Sequence, residues 1–259
     1  MSENGQPGHD YCPNINKLDN HVDCPSFRDV CHENEPSGPY YKYFDWHISP
    51  VRHWCLMGEI AQVYYFIRRS IIIRTRYNEL VPIHFYLEDD HPPTTFSFDD
   101  AQIGHTMIIM YGERHDFLDM STGVRQEVAD TVAIFKCSME ELIKTFGSMM
   151  TAPMCFQCQV KPDNQSQDKV SGEKERSVLS NASSCQNQDS QPVTIGHSLK
   201  QCSKCRIALY CGQSCQMQHW KNSHKNMCSS MKYLKQLRDL DFTCTDTTPD
   251  GPSQFFKFT

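Results

Sequence analysis

Eight cysteine and histidine side chains in the second half of the chain have the spacing of metal ligands. They are Cys155, Cys158, Cys202, Cys205, Cys211, Cys215, His224 and Cys228, in the pattern C-x2-C, then C-x2-C-x5-C-x3-C-x8-H-x3-C. Structural zinc takes four thiolate or imidazole ligands at tetrahedral corners, and C-x2-C lets one turn present two sulfurs to one ion. Eight ligands complete two sites and leave no position for water or substrate. The spacing therefore predicts two structural Zn²⁺ ions.

Disulfides in a secreted domain are the main alternative use of paired cysteines. The first eight residues, Met-Ser-Glu-Asn-Gly-Gln-Pro-Gly, have neither the basic start nor the apolar core of a secretory signal. We therefore expect an intracellular protein, in the nucleus, the cytoplasm or both, where such cysteines are more often metal ligands. No apolar run reaches the length of a membrane span, so no membrane partner is expected.

The residues around the last four ligands resemble the MYND zinc finger. Tyr210 precedes Cys211, Gln216 follows Cys215, and Trp220, His224-Lys225 and Cys228 come next. The family pattern is YCxxxCQ, then Trp, then HK and a final Cys. The likeness covers Cys202 to Cys228, with one residue more than usual between Trp220 and His224.

This resemblance implies an interleaved pair of zinc sites and a docking function. By likeness, the first ion takes Cys155, Cys158, Cys211 and Cys215, and the second takes Cys202, Cys205, His224 and Cys228. MYND fingers dock short proline-containing peptides of partner proteins in a groove. Gln216 and Trp220 would lie on the helix that walls this groove. The resemblance also implies a regulatory setting, in transcription or ubiquitin-related assembly.

A long insert separates the two C-x2-C pairs. Between Cys158 and Cys202 lie 43 residues, rich in Ser, Gln, Asn and Asp, where the family has a short loop. This composition predicts a disordered insert over residues 160–198. Lengthening a loop from about ten to about forty residues costs only about 1.3 kcal/mol, against about 10–16 kcal/mol for zinc binding in small fingers. The alternative hypothesis is that Cys185 or His197 replaces a ligand of the first site. Neither residue has a second ligand beside it at suitable spacing, which disfavours this alternative.

The elements that must hold the finger begin with a β-rich domain, predicted over residues 40–150. Apolar and β-branched runs predict strands at Ile71–Thr75, Ile83–Leu87, Thr95–Phe98, Met107–Tyr111, Val124–Glu127 and Val132–Phe135. Ser138 and Glu141 form a capping box for a helix that we expect to end at Gly147. The predicted fold class is α+β: a small OB-like β-barrel domain, then the zinc-stabilised finger over residues 155–228 and a C-terminal helix.

The remaining segments carry weaker signals. Residues 1–38 are polar and predicted to be disordered, and Cys12, Cys24 and Cys31 are interpreted as free thiols rather than a third metal site. Met231, Leu234 and Leu237 recur at helical spacing and predict an amphipathic helix over 229–241. We expect it to pack on the finger or the barrel, with partner binding as the alternative. Residues 243–259 are expected to form a loose tail, with docking of the Phe255–Phe258 stretch as an open alternative.

Charge is distributed unevenly along the chain. The net formal charge is −6, yet Lys200 to Arg238 contains eight basic residues and no acidic one, so the remainder carries −6 − 8 = −14. Seven zinc-bound thiolates and two Zn²⁺ ions would contribute −7 + 4 = −3, which reduces the positive charge of the finger. A solvated helix face explains the basic residues at least as well as nucleic-acid binding.

Nucleic-acid binding and enzymatic activity are the two alternatives to peptide docking. Single-stranded nucleic acid could bind the β-rich domain through aromatic and basic residues. The candidates are Tyr64, Tyr65, Phe66, Arg68, Arg69, Arg74 and Arg76. An enzyme is not expected, because the chain lacks the methyltransferase cofactor motif of some MYND proteins, a phosphate-binding loop and an open metal site. The favoured hypothesis is a non-enzymatic protein-interaction adaptor.

Overall fold

The computed structural model describes residues 17–44, 47–65, 68–87, 93–151, 153–162, 198–244 and 255–259. Its strands are β1 (Tyr41–Phe44), β2 (His47–Pro50), β3 (Cys55–Tyr65), β4 (Arg69–Thr75), β5 (Leu80–Phe85), β6 (Thr106–Met110), β7 (His115–Asp116), β8 (Thr122–Gln126), β9 (Val132–Phe135), β10 (Lys200–Gln201) and β11 (Leu209–Tyr210). Its α-helices are α1 (Met139–Met150), α2 (Gln213–His219), α3 (Lys225–Met227) and α4 (Met231–Asp239), with a π-helical turn at Trp220–His224 between α2 and α3. Short 3-10 helices lie at Lys17–Asp19, Phe27–Asp29, Gly38–Tyr40, Phe98–Asp100 and Ala129–Thr131.

A seven-stranded sheet forms the centre of the molecule, in the order β7-β8-β5-β4-β3-β6-β9. Neighbouring strands are antiparallel except β5 and β8, which run parallel with Ile83 opposite Val124. A register shift between Ile60 and Gln62 interrupts the β3–β4 pairing. The OB-like barrel is not confirmed, because the sheet is open across the part of the chain that is described. The broader α+β prediction, with a large sheet and a C-terminal helix, is confirmed.

Both faces of the sheet are covered by apolar side chains. One face contributes Leu56, Ile60, Ile73, Ile83, Ile109, Val124 and Ile134 to one cluster, which draws on six of the seven strands. The other face packs Met57, Ile108 and Phe135 against α1 and α4. Consequently β6 has all five residues buried and reads as a continuous apolar run. The first cluster therefore joins strands from both halves of the sheet in one core.

The parallel pairing of β5 and β8 requires a glycine at position 123. A Cβ atom placed on Gly123 would lie 2.3 Å from the carbonyl oxygen of Pro82 and 2.7 Å from Pro82 Cγ. Any side chain there would push the two strands apart. Gly123 therefore sets how closely the edge hairpin β7–β8 approaches the rest of the sheet.

Several expected elements agree with the observed ones and others differ. The runs predicted near β4, β5, β6, β8 and β9 are strands, but Thr95–Phe98 is irregular and leads into a 3-10 turn. The 11-residue β3, central in the sheet, was not predicted as a strand. Helix α1 begins as expected, with Ser138 Oγ accepting from the Glu141 N–H at 3.3 Å. It runs past Gly147 to Met150 because Met149 is also buried against the core.

The segments expected to be disordered or loose differ where they are described. Leu18, Cys24 and Val30 are at most 1 % exposed, so residues 17–38 pack on the sheet instead of remaining disordered. Phe258 is buried, and its N–H donates to the Asp130 carbonyl at 2.8 Å, so the last five residues are docked. Apolar residues spaced among polar ones anchor both segments, and their small number explains the incorrect expectation. Residues 1–16, including Cys12, most of the insert (163–197) and residues 245–254 lie outside the described residues.

The finger and the sheet share an apolar cluster. Met227, at the end of α3, and Met231, at the start of α4, belong to the same buried cluster as Phe135 and Leu142. The predicted amphipathic helix forms as α4, and its apolar residues face this core as expected. Among the helices described, none is long and apolar enough to cross a membrane.

Candidate metal centre

The two C-x2-C pairs are held in turns of the same construction. Gln159 donates its N–H to the Cys155 carbonyl at 2.8 Å, and Arg206 donates to the Cys202 carbonyl at 2.8 Å. Both donors have a left-handed backbone, with φ of 59° and 57° respectively. Each pair therefore forms a tight knuckle in which the fourth residue after the first cysteine turns the chain back. This repeated geometry supports Cys155 and Cys158 as the counterpart of Cys202 and Cys205.

A short hairpin joins the two knuckles. Strands β10 and β11 pair Gln201 with Leu209, so the second knuckle lies in the loop of this hairpin. On the other side of β11, the Phe156 N–H donates to the Leu209 carbonyl at 2.8 Å. The first knuckle is thus hydrogen-bonded to the hairpin that carries the second.

The remaining ligands lie on or beside one helical segment. Cys215 lies in α2, His224 ends the π-helical turn, and Cys228 follows α3. Within the turn, the Lys225 N–H donates to the Trp220 carbonyl, five residues earlier. A π-helical turn accommodates one additional residue without breaking the helix. The extra residue between Trp220 and His224 is accommodated in this way.

The structure gathers the eight predicted side chains into two groups of four. Cys155, Cys158, Cys211 and Cys215 form one group, and Cys202, Cys205, His224 and Cys228 form the other, with ligand atoms within 4.8 Å of one another in each. Sulfur separations in the first group include 3.6 Å for Cys158–Cys211 and 3.5 Å for Cys211–Cys215. In the second, the Cys202 and Cys228 sulfurs are 3.9 Å apart, and His224 Nε2 lies 3.4 Å from Cys202 Sγ and 3.6 Å from Cys205 Sγ.

These distances fit a tetrahedral zinc ion. With Zn–S bonds of about 2.3 Å, neighbouring sulfurs on a regular tetrahedron lie about 3.8 Å apart. The observed spacings are close to this edge and far longer than a disulfide bond of about 2.05 Å. All the described cysteines are free thiols. No third group of this kind occurs within the described ranges, and the buried Cys24 and Cys31 belong to neither group.

In each group, the surroundings lower the pKa of one thiol. Burial raises the pKa of Cys155, but backbone N–H groups of Cys158, Cys211 and Gln157 outweigh it and lower that pKa to about 7. Burial likewise opposes the lowering of the Cys202 pKa by the backbone of Cys205 and Lys204. Burial, with the nearby charges of His219 and Lys204, lowers the pKa of His224 to about 4. The imidazole is therefore neutral near pH 7, the form in which it binds a metal.

Aromatic side chains surround the histidine ligand. The His219 ring stacks on His224 with centroids 5.2 Å apart, and the Trp220 ring meets His224 edge-on at 5.8 Å. Tyr210 is buried and its hydroxyl lies 2.9 Å from His219 Nδ1. Trp220 is half-buried against the second group and keeps part of its ring toward solvent. The indole therefore serves the packing of the metal site and also contributes to the surface.

Sequence reasoning missed one apolar residue on this surface. Met217 lies three residues before Trp220 in the same helical segment and is 52 % exposed. Residues three apart on a helix are neighbours on one side, so Met217 adjoins the exposed part of Trp220. Gln216, half-exposed, lies next to Met217. Methionine is common at adaptable binding surfaces, but the exposure of Met217 is evident only from the structure.

Two interleaved sets of zinc-type ligands on a hairpin and a helix define a cross-braced zinc finger. The MYND finger family matches residues 183–228. The chain therefore carries a MYND-type zinc finger. The match begins after Cys155 and Cys158, and its first fifteen residues, with Cys185, lie outside the described residues.

The chain is also similar to two other proteins over limited lengths. Ubiquitin carboxyl-terminal hydrolase 17 of Arabidopsis thaliana is 32 % identical over 56 residues, which are 20 % of this chain and 8 % of that protein. The S. pombe Stn1–ten1 complex is similar over 38 % of this chain and 66 % of the matched one, with 14 % identity and a TM-score of 0.24. A TM-score of this size does not establish a common fold.

Proposed function

We propose that this protein is a non-catalytic adaptor whose finger binds two zinc ions and docks short proline-containing peptides of partner proteins. MYND fingers bind zinc and generally act as protein-interaction modules. The single observation that carries the proposal is the exposed Met217 between the half-exposed Gln216 and Trp220, on a helical segment that contributes ligands to both groups. A regulatory role in the nucleus or the cytoplasm, connected with transcription, is part of this proposal.

The zinc ions would have a structural role. Cys155, Cys158, Cys211 and Cys215 would hold one, and Cys202, Cys205, His224 and Cys228 the other. Each set supplies four ligands, which completes a tetrahedron without a place for substrate. When bound, each ion ties a C-x2-C knuckle to residues more than fifty or about twenty positions away, as the two group memberships require.

The docking surface combines an apolar anchor with an open strand edge. Tryptophan buries a large area with few rotatable bonds and is a frequent hot spot in interfaces. Strand β10 lies at the edge of its two-stranded sheet, where an extended peptide could pair by main-chain hydrogen bonds. Together these features suit a short extended peptide with one apolar residue seated on Trp220 and Met217.

Binding to an array of short peptides that carry proline beside leucine would test the docking function. We expect Trp220→Ala and Met217→Ala each to weaken the best peptide at least about tenfold, while elemental analysis still finds two zinc ions. Lys232→Ala, on α4, is the control and should leave binding unchanged. If Trp220→Ala also loses zinc, the Met217→Ala result alone decides, and unchanged binding in that variant would refute the proposed surface.

Single-stranded nucleic acid is the second candidate ligand, at the large sheet of the β-rich domain. The guanidinium groups of Arg68 and Arg125 lie 3.7 Å and 4.5 Å from the centre of the Tyr86 ring, and that of Arg69 lies 4.2 Å from the Phe98 ring. Arginine held on aromatic rings supports stacking with bases. In contrast, Arg76 pairs with Asp19, and Arg74 contacts Asn78. Phe66 lies outside the described residues.

This second function predicts affinity for a single-stranded oligonucleotide that falls steeply with salt. The double substitution Arg68→Gln/Arg69→Gln should weaken it, and Arg74→Gln/Arg76→Gln, which removes the same charge elsewhere, should not. Absence of binding at low salt would exclude the candidate.

A further inference from the structure

The finger and α4 present a basic surface that neither zinc binding nor an apolar anchor requires. Seven of the eight basic residues between Lys200 and Arg238 are exposed, and no acidic residue occurs in that stretch. The exposed seven are Lys200, Lys204, Arg206, Lys221, Lys225, Lys232 and Lys235. Such a concentration of one charge suits a complementary partner better than a general solvated surface, where both signs normally alternate.

The basic residues near the docking surface differ from those on α4 in their ion pairing. On α4, Lys235 and Arg238 bind Asp239 at 2.7 Å and 2.8 Å. Lys204, Lys221 and Lys225 form no ion pair with any carboxylate in the described portion of the chain. Among the described residues, no carboxylate neutralises these three ammonium groups.

Three of these residues lie close to the proposed peptide site in the chain or in the fold. Lys221 directly follows Trp220, and the Lys225 N–H donates the π-helical hydrogen bond to the Trp220 carbonyl. Lys204 belongs to the second knuckle, close enough to His224 for its charge to act on that ring. These three exposed lysines are therefore carried by the same helical segment as Met217 and Trp220 and by the knuckle near His224.

Resting on the docking function proposed above, we infer that the partner peptide is acidic, with aspartate or glutamate flanking its apolar anchor and facing Lys204, Lys221 and Lys225. Exposed charges at the rim of an interface select and steer the partner, while the apolar centre supplies most of the affinity. Seven thiolates with two Zn²⁺ would leave −7 + 4 = −3, and the five basic residues from Lys200 to Lys225 exceed this.

The shape of the surface favours an acidic peptide over a nucleic acid. Bases stack on successive open aromatic faces, but Trp220 turns part of its ring onto His224, and its exposed neighbour is the aliphatic Met217. One apolar anchor with charges around it matches a peptide that carries one large side chain and several carboxylates.

Two matched peptides separate these possibilities. One carries proline and leucine flanked by glutamate, and the other has glutamine at the same positions. Fluorescence anisotropy with the full-length zinc-loaded protein should show the acidic peptide binding about tenfold tighter at low salt, with the difference lost near molar salt. Lys221→Gln/Lys225→Gln should abolish this preference. The control Lys232→Gln/Lys235→Gln, which removes two charges from α4, should retain it.

The other possible results of this binding experiment distinguish failure of the acidic preference from failure of the docking function. Equal affinity for the two peptides would overturn the acidic preference and leave the docking function intact. If neither peptide binds, the docking function itself fails. If a single-stranded oligonucleotide of equal charge displaces the acidic peptide and binds equally well to Met217→Ala, the surface recognises polyanions in general, and the inference is wrong.

Discussion

At the scale of single residues, the chemistry of the finger could be predicted from spacing alone. Side-chain types and their spacing predict zinc, and the structure places the eight side chains in two groups of four. The role of Met217 could not be predicted in this way, because a single apolar residue on a helix gives no sign of whether it faces solvent. The left-handed turns at Gln159 and Arg206 were likewise invisible, since neither residue type favours that backbone.

The first zinc site gives a prediction about whether Cys155 and Cys158, or Cys185, complete its ligand set. Cys155→Ser combined with Cys158→Ser should reduce the zinc content from two ions to one, because it removes half of one ligand set. Cys185→Ser, the matched control inside the region of family likeness, should retain two. Elemental analysis of the purified variants decides between them. Loss of one zinc in Cys185→Ser alone would show that this thiol, rather than the first knuckle, completes the site.

A buried carboxyl group gives a pH-dependent prediction. Burial raises the pKa of Glu113 above its ordinary value of 4.5, although hydrogen bonds from Tyr41 and Cys31 oppose the shift. A raised folded-state pKa contributes stability below the ordinary pKa, and this contribution is lost as pH rises through the folded-state pKa. Glu113→Gln should therefore gain stability relative to the unsubstituted protein as the pH rises from about 4.5 through the folded-state pKa.

Denaturant unfolding of both proteins across that range measures the difference. The exposed Glu35→Gln serves as control and should show a nearly constant difference. A flat profile for Glu113→Gln would mean that its carboxylate is as well solvated in the folded protein as in the unfolded chain.

At the scale of elements, apolar and β-branched runs located five strands of the large sheet and missed β3, which lies between β4 and β6. Strand β3 is continuously buried over residues 55–58 but ends in the exposed Tyr64 and Tyr65, so it shows no single pattern over its length. The π-helical turn had one sequence signal, the extra residue before His224. The order of the strands in the sheet had no such sequence signal, because strand pairing depends on contacts between residues far apart in the chain.

The tight approach at Gly123 gives a prediction for the sheet edge. Gly123→Ala should lower the free energy of unfolding by about 3 kcal/mol, because the new methyl group must displace the backbone of β5. Gly112→Ala is the control: its Cβ would lie 3.4 Å from Leu56 Cβ, an ordinary contact, and the cost should be about 1 kcal/mol or less. Chemical denaturation of the two variants compares them directly. Similar costs would show that β8 can shift without penalty.

At the scale of the whole molecule, the sequence suggested separate modules, and the structure joins them. Met227 and Met231 connect the finger to the core beneath the sheet, and the buried Phe258 adds the C-terminal segment to the same cluster. Composition could not reveal this continuity, because an apolar stripe on a short helix does not say which neighbour it covers.

This continuity predicts that metal removal destabilises the entire chain. A strong zinc chelator should lower the thermal midpoint of the sheet by at least about 10 °C, since zinc binding stabilises the finger that shares its core. Fluorescence of Trp54, fully buried beside the sheet, and circular dichroism should change together. A sheet transition that is unaffected by the chelator would show that the finger unfolds independently.

Because the finger and the sheet share a core, the stability of the whole protein depends on the supply of zinc in the cell. A zinc finger joined to another domain by a flexible linker could lose its zinc while that domain stayed folded. Here the zinc-free chain would expose the face of the sheet that Met227 and Met231 cover, and quality-control proteases act on molecules that open in this way. We therefore expect the amount of the protein, and not only its activity, to follow the availability of zinc.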